Sequence, residues 1–158
     1  MSSALRGLGF LTEAPGAGYG EMAVSGIFVR GNVRVDLFND RVCGGFRLSD
    51  GTVSRSRAVE ELGNVRLMVC AMGDVFLFKT KTSREGDHMD CFNIARGFTL
   101  DWEVLMEEIR GQALLDLNLG VIFVAERLCA LRDGMMEVPI ADDVLEVCDD
   151  LRRRRHGR

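Results

Sequence analysis

The amino-acid sequence predicts an α+β fold: a small mixed β-sheet followed by a C-terminal helical bundle. Three observations carry this. Apolar and polar residues alternate in the first half, apolar residues recur with helical period in the second, and most glycines lie in the first. With 47% hydrophobic and 28% charged residues over 158 positions, the chain can bury the core of one domain, and a disordered chain is excluded. The expected organisation is one compact domain, with a sheet region over 1–73 and a helical region over 74–158 packed on it.

The elements follow in order. Residues 15–20, Pro-Gly-Ala-Gly-Tyr-Gly, read as a loop. Met22–Arg30 is apolar enough for a strand, Arg30-Gly31-Asn32 signals a turn, and Val33–Phe38 alternates as a half-buried strand. That alternation puts Val33, Val35 and Leu37 on one face and Arg34, Asp36 and Phe38 on the other. Asn64–Ala71 reads as a further strand. Asp74 is a candidate N-cap for a helix over Val75–Lys81, and Asp87–Arg96 reads as a short helix ending at Gly97. Asp101–Leu115 is an amphipathic helix with Trp102, Leu105, Met106, Ile109 and Ala113 on one stripe. Val121–Arg132 continues the pattern through Val121, Val124, Leu128 and Leu131, with Gly134 closing it. Asp142–Arg154 is the last helix, burying Val144, Cys148 and Leu151.

Charge and cysteine usage exclude several classes of function. Twenty Lys+Arg against 24 Asp+Glu give −4, so no protein-wide basic field for nucleic acid exists. The balance is uneven: residues 1–83 hold ten basic and eight acidic residues, whereas 84–158 hold ten and sixteen. No apolar run approaches the ~20 residues that span a bilayer. Met1–Phe10 lacks signal-peptide anatomy, so a cytoplasmic location is expected. The five cysteines, Cys43, Cys70, Cys91, Cys129 and Cys148, form no C-x-x-C pair and read as free thiols in a reducing compartment. With only His88 and His156 beside them, they make a poor zinc set. The methionines read as core filler.

Three stretches could carry chemistry. Asp36 lies mid-strand between Val35 and Leu37, where Asp is a poor strand former. It either faces solvent beside Arg34 or presents a carboxylate to a metal. The run Asp74–Asp90 gathers Lys79, Lys81 and Arg84, with Asp87 and Asp90 on one helical face. It is either a solvated charge cluster with Asp87 as N-cap, or a set of phosphate-neutralising cations oriented by Asp87 and Asp90. The tail Arg152-Arg153-Arg154-Arg155 suits a helix C-terminus and could also contact RNA.

Taken together, Val33-Arg34-Val35-Asp36-Leu37-Phe38, Arg41-Val42-Cys43, the Gly63-Asn64 strand, Asp74-Val75-Phe76-Leu77-Phe78-Lys79, Thr82-Ser83-Arg84-Glu85-Gly86-Asp87 with Asp90, and Leu100-Asp101-Trp102-Glu103 resemble a known family. They look like the later part of nucleotidyltransferase-like proteins from uncharacterised archaeal and bacterial families. Those belong to the DNA polymerase β-type superfamily and are related to toxin–antitoxin nucleotidyltransferases. The resemblance covers roughly residues 5–115. It implies transfer of a nucleotide from an NTP to an acceptor hydroxyl, with two Mg²⁺ ions clamping the attacking and leaving oxygens. The family holds these metals with an Asp-x-Asp pair after a Gly-Ser or Gly-Gly turn, plus a third Asp on a neighbouring strand. By this resemblance Asp36 is the catalytic, metal-binding third carboxylate. Lys79, Lys81 and Arg84 bind the nucleotide, and Asp87 and Asp90 support them.

The sequence departs from the family where the first metal motif should stand. Residues 1–35 hold only Glu13 and Glu21 as acids, and Gly44-Gly45 is followed by Asp50 alone, after Asp36. In family terms the chain begins near the end of a helix, Ala4–Phe10, that elsewhere follows the metal motif, as a late-placed start or a natural remnant would. One carboxylate cannot hold two hard divalent ions. The expectation is a chain inactive alone, which would transfer a nucleotide if completed, or else a degenerate interaction or antitoxin-type module. Loss of the leading strand would also leave an open sheet edge, so a homodimer or a partner protein is expected.

Overall fold

The computed structural model describes residues 1–14, 24–39, 41–42, 45–62, 65–82, 84–115 and 120–156. The fold is α+β. The chain divides into two compact units, Met1–Arg47 and Leu48–Arg158.

The first unit opens with helix α1 (Ser2–Gly7). A three-stranded antiparallel sheet follows: β1 (Leu11–Glu13), β2 (Gly26–Arg30) and β3 (Val33–Leu37), in the order β1-β2-β3. A two-residue turn joins β2 to β3, which fixes the register at Arg30↔Val33 and Ile27↔Asp36. Gly31 takes φ +57 there, a left-handed conformation that glycine adopts without a Cβ penalty. Arg30 ties α1 to the sheet: its guanidinium donates to the Leu8 carbonyl at 2.6 Å and lies over the Phe10 ring. The short pair β4 (Arg41–Val42) and β5 (Phe46–Arg47) completes the unit, and Ile27, Phe28 and Phe46 are its buried apolar residues. The expected strand over Met22–Arg30 starts at Gly26, and the loop over 15–20 and Cys43 lie outside the described residues.

The second unit begins with α2 (Asp50–Arg55), capped by Ser49, whose hydroxyl accepts from the Thr52 amide at 3.0 Å. An antiparallel ribbon follows, β6 (Arg57–Leu62) with β7 (Val65–Val69), carrying a bulge at Ala58/Glu60. The β6 strand escapes the sequence reading because Arg57-Ala58-Val59-Glu60-Glu61 lacks clean alternation, and the bulge shifts its register. All described strand pairs are antiparallel.

Five helices then form the bundle: α3 (Met72–Thr80), α4 (Glu85–Gly97), α5 (Trp102–Leu114), α6 (Gly120–Asp133) and α7 (Ala141–His156). The predicted stripes form the core, except that Trp102 at the start of α5 is only half-buried. Leu105, Met106, Ile109 and Ala113 of α5, Val121, Val124, Leu128 and Leu131 of α6, and Val144, Cys148 and Leu151 of α7 are all buried. Phe76 meets Trp102 edge-on at 6.0 Å. Asp101 caps α5, accepting from the Val104 amide at 3.0 Å.

Two helix starts differ from expectation. Ala71, not Asp74, is the N-cap of α3, and Arg84, not Asp87, that of α4. Both aspartates lie in the first helical turn instead, where partners from outside their own backbone claim them. Among the described residues, no helix is long and apolar enough to cross a membrane.

Candidate functional site

The Asp74–Asp90 run folds into one cluster at the junction of α3 and α4. Lys79 lies in the last turn of α3, and Asp87 and Asp90 lie three apart on α4, so one ammonium reaches both carboxylates. Lys79 Nζ stands 2.8 Å from Asp87 Oδ1 and 2.7 Å from Asp90 Oδ2. The second oxygen of Asp87 accepts from Arg84 Nε at 2.7 Å and from the Thr82 hydroxyl. The Asp87 side chain is 6% exposed, whereas Asp90 is 50% and Lys79 29% exposed. Burial works against the charge of Asp87, but its bonds from Lys79, Thr82 and Arg84 outweigh that and hold its carboxyl below the ordinary range. Burial likewise opposes the Lys79 ammonium, and the two carboxylates raise its pKa nonetheless. Lys81 points elsewhere, over the Phe123 ring at 4.1 Å.

A second polar network, missed by sequence reasoning, lies within the same unit. Arg55 of α2 grips Asp74 with two bonds, Nε–Oδ2 at 3.1 Å and NH2–Oδ1 at 2.6 Å, and reaches Glu108 Oε2 at 2.8 Å. Ser49 donates to Glu108 Oε2 at 2.8 Å, Gln112 to Glu108 Oε1 at 2.9 Å, and Thr52 to Asp74. Asp74 and Glu108 are 2% and 7% exposed. Bonding to Asp74 is the main cause of a raised Arg55 pKa, with burial opposing. Burial would push Glu108 up, but Arg55, Gln112 and Ser49 lower it. The signal lay in α5: Glu108 and Gln112 fall beside the arc of Leu105, Ile109 and Ala113, so a buried partner was required.

Asp36 belongs to the other unit. Its Oδ1 accepts from Arg34 Nε at 2.8 Å, two residues away on the same strand face. Among the described residues, no three His, Cys, Asp or Glu side chains gather as a metal site. One carboxylate already paired with a guanidinium does not fit a two-Mg²⁺ centre, which needs several oxygen ligands per ion.

The described cysteines, Cys70, Cys91, Cys129 and Cys148, are free thiols, and burial pushes Cys91 up to about 12. In the tail, Arg152 and Arg153 make surface pairs with Asp149 and Asp150 at 3.5 and 3.8 Å.

No protein-family model, curated protein or solved structure matches this chain.

Proposed function

We propose that the chain is a nucleotidyltransferase-like, cytoplasmic module that transfers no nucleotide by itself and acts by binding another polypeptide. The observation that carries this reading is how the cationic run is spent. Lys79 is shared between Asp87 and Asp90, and Arg84 is bonded to Asp87, so the charges that would meet a triphosphate close on one another. The carboxylate of Asp36 is likewise engaged by Arg34. Nucleotidyl transfer would need a completed form, in which upstream sequence or a partner added the Asp-x-Asp carboxylates that hold Mg²⁺.

The partner-binding half of the reading is supported by the β6–β7 ribbon, a sheet of two strands with an unpaired edge on each side among the described residues. Val59, Leu67 and Val69 are 45–49% exposed on it. Such a ribbon is marginal alone and gains from a further strand. A second copy suits β7: pairing antiparallel about Leu67 sets Val65 opposite Val69 and Arg66 opposite Met68, with no like charges facing. The arginines of α7 provide a weaker route to RNA.

Two measurements test the proposal. The purified chain, given Mg²⁺ and labelled NTPs with protein or RNA as acceptor, is expected to incorporate no label; robust incorporation overturns the first half. Sedimentation across a wide concentration range is expected to show dimer formation that Leu67→Lys abolishes. A strictly monomeric chain that also gains no mass on incubation with lysate overturns the second.

A further inference from the structure

Between α5 and α7, both in the Leu48–Arg158 unit, lies an open recess of about 250 Å³. Its apolar lining comes from Ala113 and Leu114 of α5 and Val147 and Leu151 of α7. The spacing accounts for this. Leu151 belongs to the buried stripe of α7, and Val147 stands four residues before it on the same face. Ala113 ends the buried stripe of α5, and Leu114 follows it at the last position of the helix. Ala113 and Leu151 are buried, whereas Leu114 is 69% exposed. The edge of the core therefore reaches the surface here. An exposed leucine alone signals nothing, but one bordering an apolar recess offers area that a ligand can cover.

The recess is also cationic. Arg110 and Arg154 line it, one from each helix, and both are exposed, so solvent reaches them. Among the described residues neither is held by an ion pair, for the neighbouring Asp149 and Asp150 pair with Arg152 and Arg153. Asp150 lines the recess too, so two cations stand against one anion there, a balance of +1. A guanidinium stays charged at any working pH and offers paired N–H donors to a carboxylate.

We propose that this recess binds a medium-chain fatty acid, its carboxylate at Arg110 and Arg154 and its alkyl chain along Leu114, Val147 and Leu151. An apolar lining with a single net positive charge is the complement of a monoanion that carries a hydrocarbon chain. A peptide suits it less. Both walls are helices, whose backbone groups are spent internally, so no open edge can hold an extended segment. A docked helix would need a longer groove with several anchoring positions. The inference stands apart from the reading above: it uses neither Asp36 nor the β7 edge, and either can fail alone.

The test is NMR of the isotope-labelled full-length chain, titrated with butanoate, hexanoate and octanoate at constant ionic strength. Octanol is the uncharged control. The amides of Ala113, Leu114, Val147 and Leu151 are expected to shift saturably with octanoate. Affinity should rise about fourfold for each CH₂ added and covered. Octanol should bind about threefold more weakly than octanoate. Arg110→Gln combined with Arg154→Gln should bring octanoate down to the affinity of octanol. Leu114→Glu should abolish binding; like the two arginine changes, it is at an exposed position and leaves the core intact. No saturable shift, an affinity that does not rise with chain length, or an octanoate affinity that the double arginine variant leaves unchanged overturns the proposal. An acidic, leucine-containing peptide that occupies the same amides at lower concentration than octanoate assigns the recess to a polypeptide and overturns it too.

Discussion

Gly134 and Met135 exchange the roles that their sequence suggests. Gly134 looks like the left-handed stop of α6, yet Met135 takes φ 63, bonding back from its amide to the Arg132 carbonyl at 2.9 Å. Gly134 is needed for space instead: a Cβ there would meet the Phe92 ring at 2.8 Å. Met135→Gly is expected to raise stability by about 1 kcal/mol, because the side chain is 95% exposed and gains nothing for its strained backbone. Gly134→Ala should lower it by about 1–3 kcal/mol by displacing Phe92. Urea midpoints at unchanged slope check both. Arg55 carries more. Arg55→Met strands Asp74 and Glu108 in the interior at an expected cost of about 3–5 kcal/mol. It also removes one of the bonds that hold the Glu108 carboxyl low, so the variant should lose less stability than the parent chain as pH falls from 7 to about 4, measurable as Tm at the two pH values.

Among the elements, α5 obeys its sequence most closely. Length and stripe agree, because the apolar positions of the stripe recur with the helical period and turn toward the neighbouring helices. Asp101→Ala should cost about 1 kcal/mol, read from thermal unfolding. Helices α3 and α4 start earlier than their aspartates suggest, because Asp74 and Asp87 are drawn to Arg55 and to Lys79 and Arg84. An N-cap rule weighs only the local amide; it is silent on a guanidinium nineteen residues away. The β6–β7 ribbon shows the same limit, since a bulged, exposed strand has neither alternation nor burial to announce it.

For the molecule as a whole, pH dependence follows from the two carboxyls held low. Asp87 and Glu108 have folded pKa values below their ordinary 3.8 and 4.5. Each binds fewer protons folded than unfolded in that window. Their stabilisation is therefore complete above about pH 5 and lost as pH falls through the folded values. Circular dichroism should show stability falling steeply below about pH 4, with Asp87→Asn less stable at neutral pH and less sensitive to acid. Lys79 has the opposite sign: its raised pKa contributes below 10.5 and is lost only as pH climbs past the folded value.

Period and composition by themselves determined the α+β class, the β2–β3 hairpin, and helices α5, α6 and α7 with their buried stripes, because burial of an amphipathic face is written in spacing. The charged run was equally visible, since Lys79, Arg84, Asp87 and Asp90 lie within twelve positions. Only the tertiary structure decided what those charges do. Which carboxylate an ammonium or guanidinium meets depends on the approach of separate helices, and that approach gave Lys79 to Asp87 and Asp90, and Arg55 to Asp74 and Glu108. It also brought Arg110 and Arg154 to one apolar recess.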